Sequence, residues 1–328
     1  MKQNNKILAL VRILIFSIIL AGTSSTKAEL KVVTTIKPLH SLIANVMEGI
    51  GESALILEGS TSPHSFILKP SHARLLEEAD IIFWVGEDIE TFMGKPLESI
   101  AKNAEKITFM DLDSITKLPF REENIFEKHE EHNHEEHNHE EHTHEEHDEH
   151  EKHDEHDSHG HGEFDAHIWL DPMNAKEMVH KISHELSALD PANKEKYNAN
   201  ADKTIIAINQ LIKDTDQTIN KDARFVVFHD AYQYFEKRFG ISSSGALTLN
   251  TDVLPGARQI SDIQHLIEEE GINCIFSEPQ FNPKIIETIA KDTNIQTGIF
   301  DPLGANIDSD KYLYFNLISN LANKLKDC

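Results

Sequence analysis

Cysteine is scarce in this 328-residue chain, which has two, Cys274 and Cys328, the second being its last residue. In an oxidising compartment the two could pair, stabilising the fold by about 4 kcal/mol in the chain-entropy picture by tying down the C-terminus; two free thiols are the alternative. No cysteine lies near the expected cleavage point behind the apolar stretch of the N-terminus, which excludes a lipid anchor at a new N-terminal cysteine. That stretch, Ile13 to Ala21, is too short to span a bilayer comfortably. Bases are also few: 31 Lys and Arg stand against 56 Asp and Glu, a formal net charge of -25. So acidic a protein repels nucleic acid and attracts cations, and no nucleic-acid partner is expected. A zinc hydrolase, the rival among enzymes, would show a motif such as His-Glu-x-x-His on a helix, and the chain has none.

What is present begins with a targeting pattern. Lys2, Lys6 and Arg12 precede the apolar stretch, and Thr26-Lys27-Ala28 fits a signal-peptidase site, so residues 1–28 read as a signal peptide and the mature chain as exported and soluble. An uncleaved anchor is the alternative. The 300 or so residues that remain are enough for two domains with separate cores.

Between His129 and His161 lie thirteen of the twenty-one histidines and fourteen Asp and Glu residues. Glu130 to His134, Glu135 to His139 and Glu140 to His144 are successive copies of Glu-Glu-His-x-His, and a fourth starts at Glu145. With almost nothing apolar to bury, the run is expected to be a disordered loop in the absence of metal. A solvated acidic spacer is the bland reading. The regular imidazoles point instead to several additional, weakly held ions, since a loop that must order at each binding event loses affinity.

Elsewhere strands alternate with helices, which predicts an α/β fold: two lobes with mainly parallel sheets. Strands are expected near residues 31–36, 54–57, 81–85 and 107–111, with helices opening at Pro38 and at Ser71, the latter as cap. The second half repeats the rhythm, with strands at 225–228, 245–249, 274–277 and 298–300 and helices at 231–239, 260–269 and 283–291. Between the halves, Pro191 to Lys221 has no glycine and no further proline. Tyr197, Ala201, Ile205, Ile208, Ile212, Thr215 and Ile219 recur at helical spacing there, predicting a long rigid helix joining the lobes. The expected domains are therefore an N-terminal lobe at 29–190 including the loop 129–161, a linking helix at 191–221 and a C-terminal lobe at 222–328.

Three histidines outside the loop, and one aspartate, stand where strands end or loops follow. His64 lies past the second strand, His167 just past the His-rich run, His229 at the end of the first strand of the second lobe, and Asp301 after the last strand. Parallel sheets bind ligands beyond the carboxyl ends of their strands, so two facing lobes would bring these side chains to one cleft. Three neutral imidazoles and a carboxylate suit Zn2+, held at one tight cleft site. His40, His72, His180, His184 and His265 lack partners at ligand spacing and are left out.

The motifs Ser62-Pro63-His64-Ser65-Phe66, His167-Ile168-Trp169-Leu170-Asp171-Pro172, Phe228-His229-Asp230-Ala231-Tyr232 and Phe276-Ser277-Glu278-Pro279-Gln280 resemble those of the metal-binding solute receptors of ABC importers, above all their zinc-binding members. The resemblance covers nearly the whole mature chain. It implies two α/β lobes joined by a rigid helix, one ion between them, a periplasmic location and delivery to a membrane permease, the receptor being a monomer and not an enzyme. It also implies a His-rich loop before the second ligand and a disulfide between Cys274 and Cys328. By match to its motifs, His64, His167 and His229 resemble the zinc ligands and Asp301 the fourth. Manganese-binding relatives place a carboxylate where this chain has His229, so a manganese receptor is the rival within the fold. Where some zinc receptors have Glu beside the first histidine this chain has Pro63, which leaves Glu278 or water open as fourth ligand, or Glu278 as a group that orients one.

Overall fold

A short β-branched run, Val32–Thr34, is buried on every side and forms β1. It opens a series that continues as α1 (Lys37–Val46), β2 (Ser53–Leu55), α2 (Pro70–Glu78), β3 (Ile81–Trp84), α3 (Gly94–Ser99) and β4 (Glu105–Thr108). The four strands are parallel in the order β2-β1-β3-β4. All of β3 is buried, as expected of a central strand covered on both faces. This computed structural model describes residues 29–126, 162–249, 251, 254–293, 295–326 and 328, so the expected signal segment and the His-rich run lie outside the described residues.

The second half builds the same sheet again. β5 (Phe225–His229), α6 (Gln233–Phe239), β6 (Gly245–Thr248), α7 (Ala257–Glu270), β7 (Cys274–Ser277), α8 (Lys284–Thr293) and β8 (Gln296–Ile299) give a parallel sheet in the order β6-β5-β7-β8, with α4 (Pro172–Leu189) and α5 (Lys194–Thr218) lying between the two halves in sequence. Its core includes Val226, Phe228, Leu247, Ile263, Ile275 and Ile289. In each sheet the strand order reverses beside the first strand, which leaves a crevice at the carboxyl ends where side chains can converge.

Several boundaries differ from the sequence reading. The fourth strand is Glu105–Thr108, and Phe109–Asp111 is a 3-10 turn, because an edge strand tolerates the charged Glu105 and Lys106 that apolar patterning passes over. α2 starts at Pro70 and not at a Ser71 cap; the His72 ring accepts the Lys69 backbone N–H at 3.2 Å in place of that cap. The long helix is 25 residues, preceded by a separate 3-10 turn at Pro191–Asn193. Its buried face is Tyr197, Asn200, Ala201, Thr204, Ile208, Leu211 and Thr215, so three residues outside the expected stripe replace Ile205 and Ile212. The Asn200 amide explains part of the shift, donating to the carbonyls of Val46 and Glu48 at the end of α1.

α5 packs on α4, on α1 and on α9 (Leu313–Leu325). The C-terminal helix thus returns to the first lobe, where Tyr314 N–H donates to the Ser41 hydroxyl, and the chain then closes on the second sheet through the Cys274–Cys328 disulfide. Between lobes, Arg238 on α6 forms a bidentate pair with Asp171 at 2.6 and 2.7 Å, and Arg121 bridges Asp230 and Glu236 at 2.8 and 2.6 Å. The planar guanidinium fork suits such pairs.

Candidate metal centre

His229 is the last residue of β5, and Glu278 directly follows the end of β7, so the two flank the point where the second sheet reverses its strand order. The strands are hydrogen-bonded neighbours, which fixes the pair. The Glu278 carboxylate accepts the His229 Nδ1 hydrogen at 2.6 Å and leaves Nε2 aimed the other way. His167 is arranged by the same logic. It sits before the 3-10 turn Ile168–Leu170, and Asp165, fully buried two residues earlier, accepts from its Nδ1 at 2.6 Å and from its backbone N–H at 2.9 Å. Gln233 on α6 donates to the second Asp165 oxygen at 2.8 Å, and Tyr234 to the Asp165 carbonyl at 2.6 Å, so elements of both lobes hold this ligand. His64 comes from the 3-10 turn Pro63–Ser65, opened by the Ser62 hydroxyl accepting its N–H at 3.3 Å.

The three Nε2 atoms meet at one point. His167 Nε2 lies 3.4 Å from that of His64 and 3.3 Å from that of His229, and the ligand atoms of all three lie within 4.8 Å of one another. Among the described residues this is the one group of histidine, cysteine or carboxylate side chains able to hold a metal ion. His167 and His229 are buried and His64 is partly exposed, so the last is the imidazole nearest solvent. The cavity at the centre has a volume of about 10 Å³ and is walled by Pro63, Trp169, Phe281, Pro302 and Leu303 among others. A space of that size holds one atom-sized species and excludes an organic substrate.

Burial pushes the His229 imidazole towards the neutral form, and the Glu278 carboxylate in contact with it, together with Asp230 and Asp165, outweighs this, so its pKa lies above the ordinary value of 6.5. A carboxylate on Nδ1 of each of two imidazoles fixes the tautomer that presents Nε2.

Asp301 does not join the three histidines. Its oxygens accept the backbone N–H groups of Leu303 at 3.2 Å, Gly304 at 2.9 Å and Ala305 at 2.5 Å, together with the Gln280 amide at 3.2 Å. A carboxylate that opens a tight turn meets the amides two to four residues ahead, and here they engage both of its oxygens. Glu278 is likewise a support for His229 and lies outside the group of ligand atoms. Asp165 escaped the sequence reading, although its position two residues before a ligand histidine was a signal in plain view. Of the other described histidines, His40 meets the Ser53 carbonyl and His72 the start of α2.

Two α/β lobes, three converging imidazoles and a cavity for a single ion define a metal-binding solute receptor rather than an enzyme. The family profile described as ZnuA, zinc-uptake complex component A, periplasmic, matches residues 32–328, and the chain belongs to that family. It is 44% identical to the high-affinity zinc uptake system protein ZnuA of Brucella abortus (strain 2308) over 313 residues, 94% of each chain. ZnuA of Yersinia pestis is 35% identical over 314 residues, 95% of each. Among solved structures, the crystal structure of ZnuA matches with a TM-score of 0.71 at 20% identity, covering 91% of this chain and 98% of that one. The AdcAII protein of Streptococcus pneumoniae matches at 0.70 and 22% identity, covering 92% and 100%. At such identities the solved structures bear on the fold alone. No helix among the described residues is long and apolar enough to cross a membrane.

Proposed function

We propose that the chain captures a single Zn2+ between its lobes on the Nε2 atoms of His64, His167 and His229 and carries it to the permease of an ABC importer. The observation that carries this reading is the meeting of the three Nε2 atoms, two of them backed by buried carboxylates. Three imidazoles are a borderline-soft set that suits zinc, whereas manganese favours carboxylate and carbonyl oxygen. With the Asp301 oxygens engaged by its own turn, water is the fourth donor. Relatives named for high-affinity zinc uptake support the same cargo.

The receptor acts as a monomer, exported through an N-terminal signal that is cut near Glu29. The His-rich run is an auxiliary segment that gathers further, weaker ions for the cleft. The test is calorimetric titration of zinc and of manganese into the wild type and a His229→Ala variant. One tight zinc site in the wild type, lost in the variant, is the expected result; preference for manganese would overturn it. Deleting residues 130–161 should lower the number of ions bound and leave the tight site in place.

A further inference from the structure

The turn that follows β8 is held from the opposite lobe by one lysine. Lys37, the first residue of α1, is 5% exposed, and its ammonium donates to the carbonyls of Gly304 at 2.6 Å, Ala305 at 3.1 Å and Ile307 at 2.6 Å. Three donors thus meet three acceptors, all of them main-chain oxygens on one short segment of the second lobe. Burying an ammonium is costly unless every hydrogen is used, and a bare apolar contact would have fixed the turn without that cost. Asp301 and Asp308, at either end of the segment, supply the nearest negative charge.

The same segment is fastened at two further points. Trp169, two residues past His167, donates its indole N–H to the Pro302 carbonyl at 2.7 Å, and the Asp301 carboxylate gathers the amides of Leu303, Gly304 and Ala305. The carbonyls of the turn therefore face the first lobe and several of its amides face Asp301. Pro302 and Leu303 are left lining the cavity where the imidazoles meet.

Resting on the zinc reading above, we propose that Lys37 is a positioning residue for ion retention: it clamps the turn 301–307 across the lobe boundary and so holds Pro302 and Leu303 against the loaded site. Without the ammonium, the partly buried carbonyls of Ala305 and Ile307 lose this donor, the buried one of Gly304 keeps only the Ile307 N–H, and the turn draws back to find water. Solvent then reaches the ion, which leaves sooner. His64, the partly exposed imidazole, gives the ion its way in, and Lys37 is not among the residues around the cavity, so the association rate is spared. Lys37 touches neither the ion nor any of its ligands, and its effect is exerted through the turn.

The test uses the full chain loaded with zinc and mixed with excess chelator in a stopped-flow instrument, for the wild type and for Lys37→Met, Lys37→Gln and Lys37→Arg. Lys37→Met should raise the zinc dissociation rate about ten-fold or more while the association rate stays within about two-fold, since affinity differences at one interface reside mostly in dissociation. Lys37→Gln keeps one donor and should fall between; Lys37→Arg restores charge and donors and should recover much of the retention. A dissociation rate in Lys37→Met within about two-fold of the wild type would overturn the clamp, as would association and dissociation changing together. Where Lys37→Met does not fold, Lys37→Gln decides on the same criteria. A wild type that shows no slowly released zinc would overturn the zinc reading itself, and the clamp with it.

Discussion

Replacing Glu278 by glutamine removes one charge and almost no volume, at a side chain that is 3% exposed and 2.6 Å from His229 Nδ1. The glutamine carbonyl can still accept the Nδ1 hydrogen, so the bond survives in neutral form. Charge-assisted hydrogen bonds are roughly twice as strong as neutral ones, a difference of about 1.5 kcal/mol here. At pH 8 the zinc affinity of Glu278→Gln should therefore fall about ten-fold or somewhat more, within the range known for partners of metal-bound histidine. The pH dependence sharpens the test. In the wild type, burial lowers the His229 pKa, and Glu278 with Asp230 and Asp165 raises it by more, so protons compete for the imidazole from above pH 6.5 downwards and affinity is lost as pH falls. Taking away the charge of Glu278 removes the largest of the raising influences, so the variant imidazole stays neutral to lower pH. The deficit should thus be largest at pH 8 and shrink towards pH 6. Competition titration against a chromophoric chelator at both values measures it. An equal deficit at the two pH values, or none at pH 8, would refute the roles given to Glu278 and His229.

Burial pushes the Glu90 carboxyl up to about 7 from 4.5, against the Thr35 side chain and the Val85 and Gly86 amides that lower it. The folded state then holds a proton that the unfolded state has released, so stability should fall as pH rises from 4.5 to 7 and level off above, by about 3 kcal/mol in all. Glu90→Gln should flatten that slope in urea unfolding followed across the range. Replacing both cysteines by serine opens a loop with a sequence separation of 54 and should cost about 4 kcal/mol, read from denaturant midpoints under non-reducing conditions. Asp301→Asn should lower stability by about 1 to 2 kcal/mol through the weakened turn while zinc affinity changes little. Loss of the tight site in that variant would reinstate Asp301 as a ligand.

The layers of this fold were legible because parallel strands buried on both faces, such as Ile81–Trp84, leave unbroken apolar runs. Three helices were not read, Gly94–Ser99, Pro172–Leu189 and Leu313–Leu325. The second of these had its signal in plain view: Asp171 caps it by accepting the Met173 N–H at 2.8 Å, Pro172 takes the first helical position, and Ala175, Met178, Val179, Ile182 and Leu186 form its buried stripe. The three histidines could be placed because each stands where a strand or loop ends. Asp301 stands apart from the three for a reason that residue spacing cannot show. A carboxylate at the start of a Pro-Leu-Gly turn has its own amides within reach, and only the backbone path shows that they engage it.

The charge around the cage explains why supporting residues matter as much as ligands. Three imidazoles are neutral when they bind, so they do nothing to offset the two positive charges brought into a nearly dry site, where an uncompensated ion is very costly. Asp165 and Glu278, both at least nine-tenths buried, stand one imidazole away and carry one negative charge each. With Zn2+ present the group sums to zero; with a monovalent ion it does not. Without the ion, burial favours the neutral His229 ring, and Glu278, Asp230 and Asp165 together outweigh it and raise the His229 pKa. Loading at His229 should thus exchange a proton for metal charge, and two buried acids one imidazole away from the ion should offset that charge without touching it.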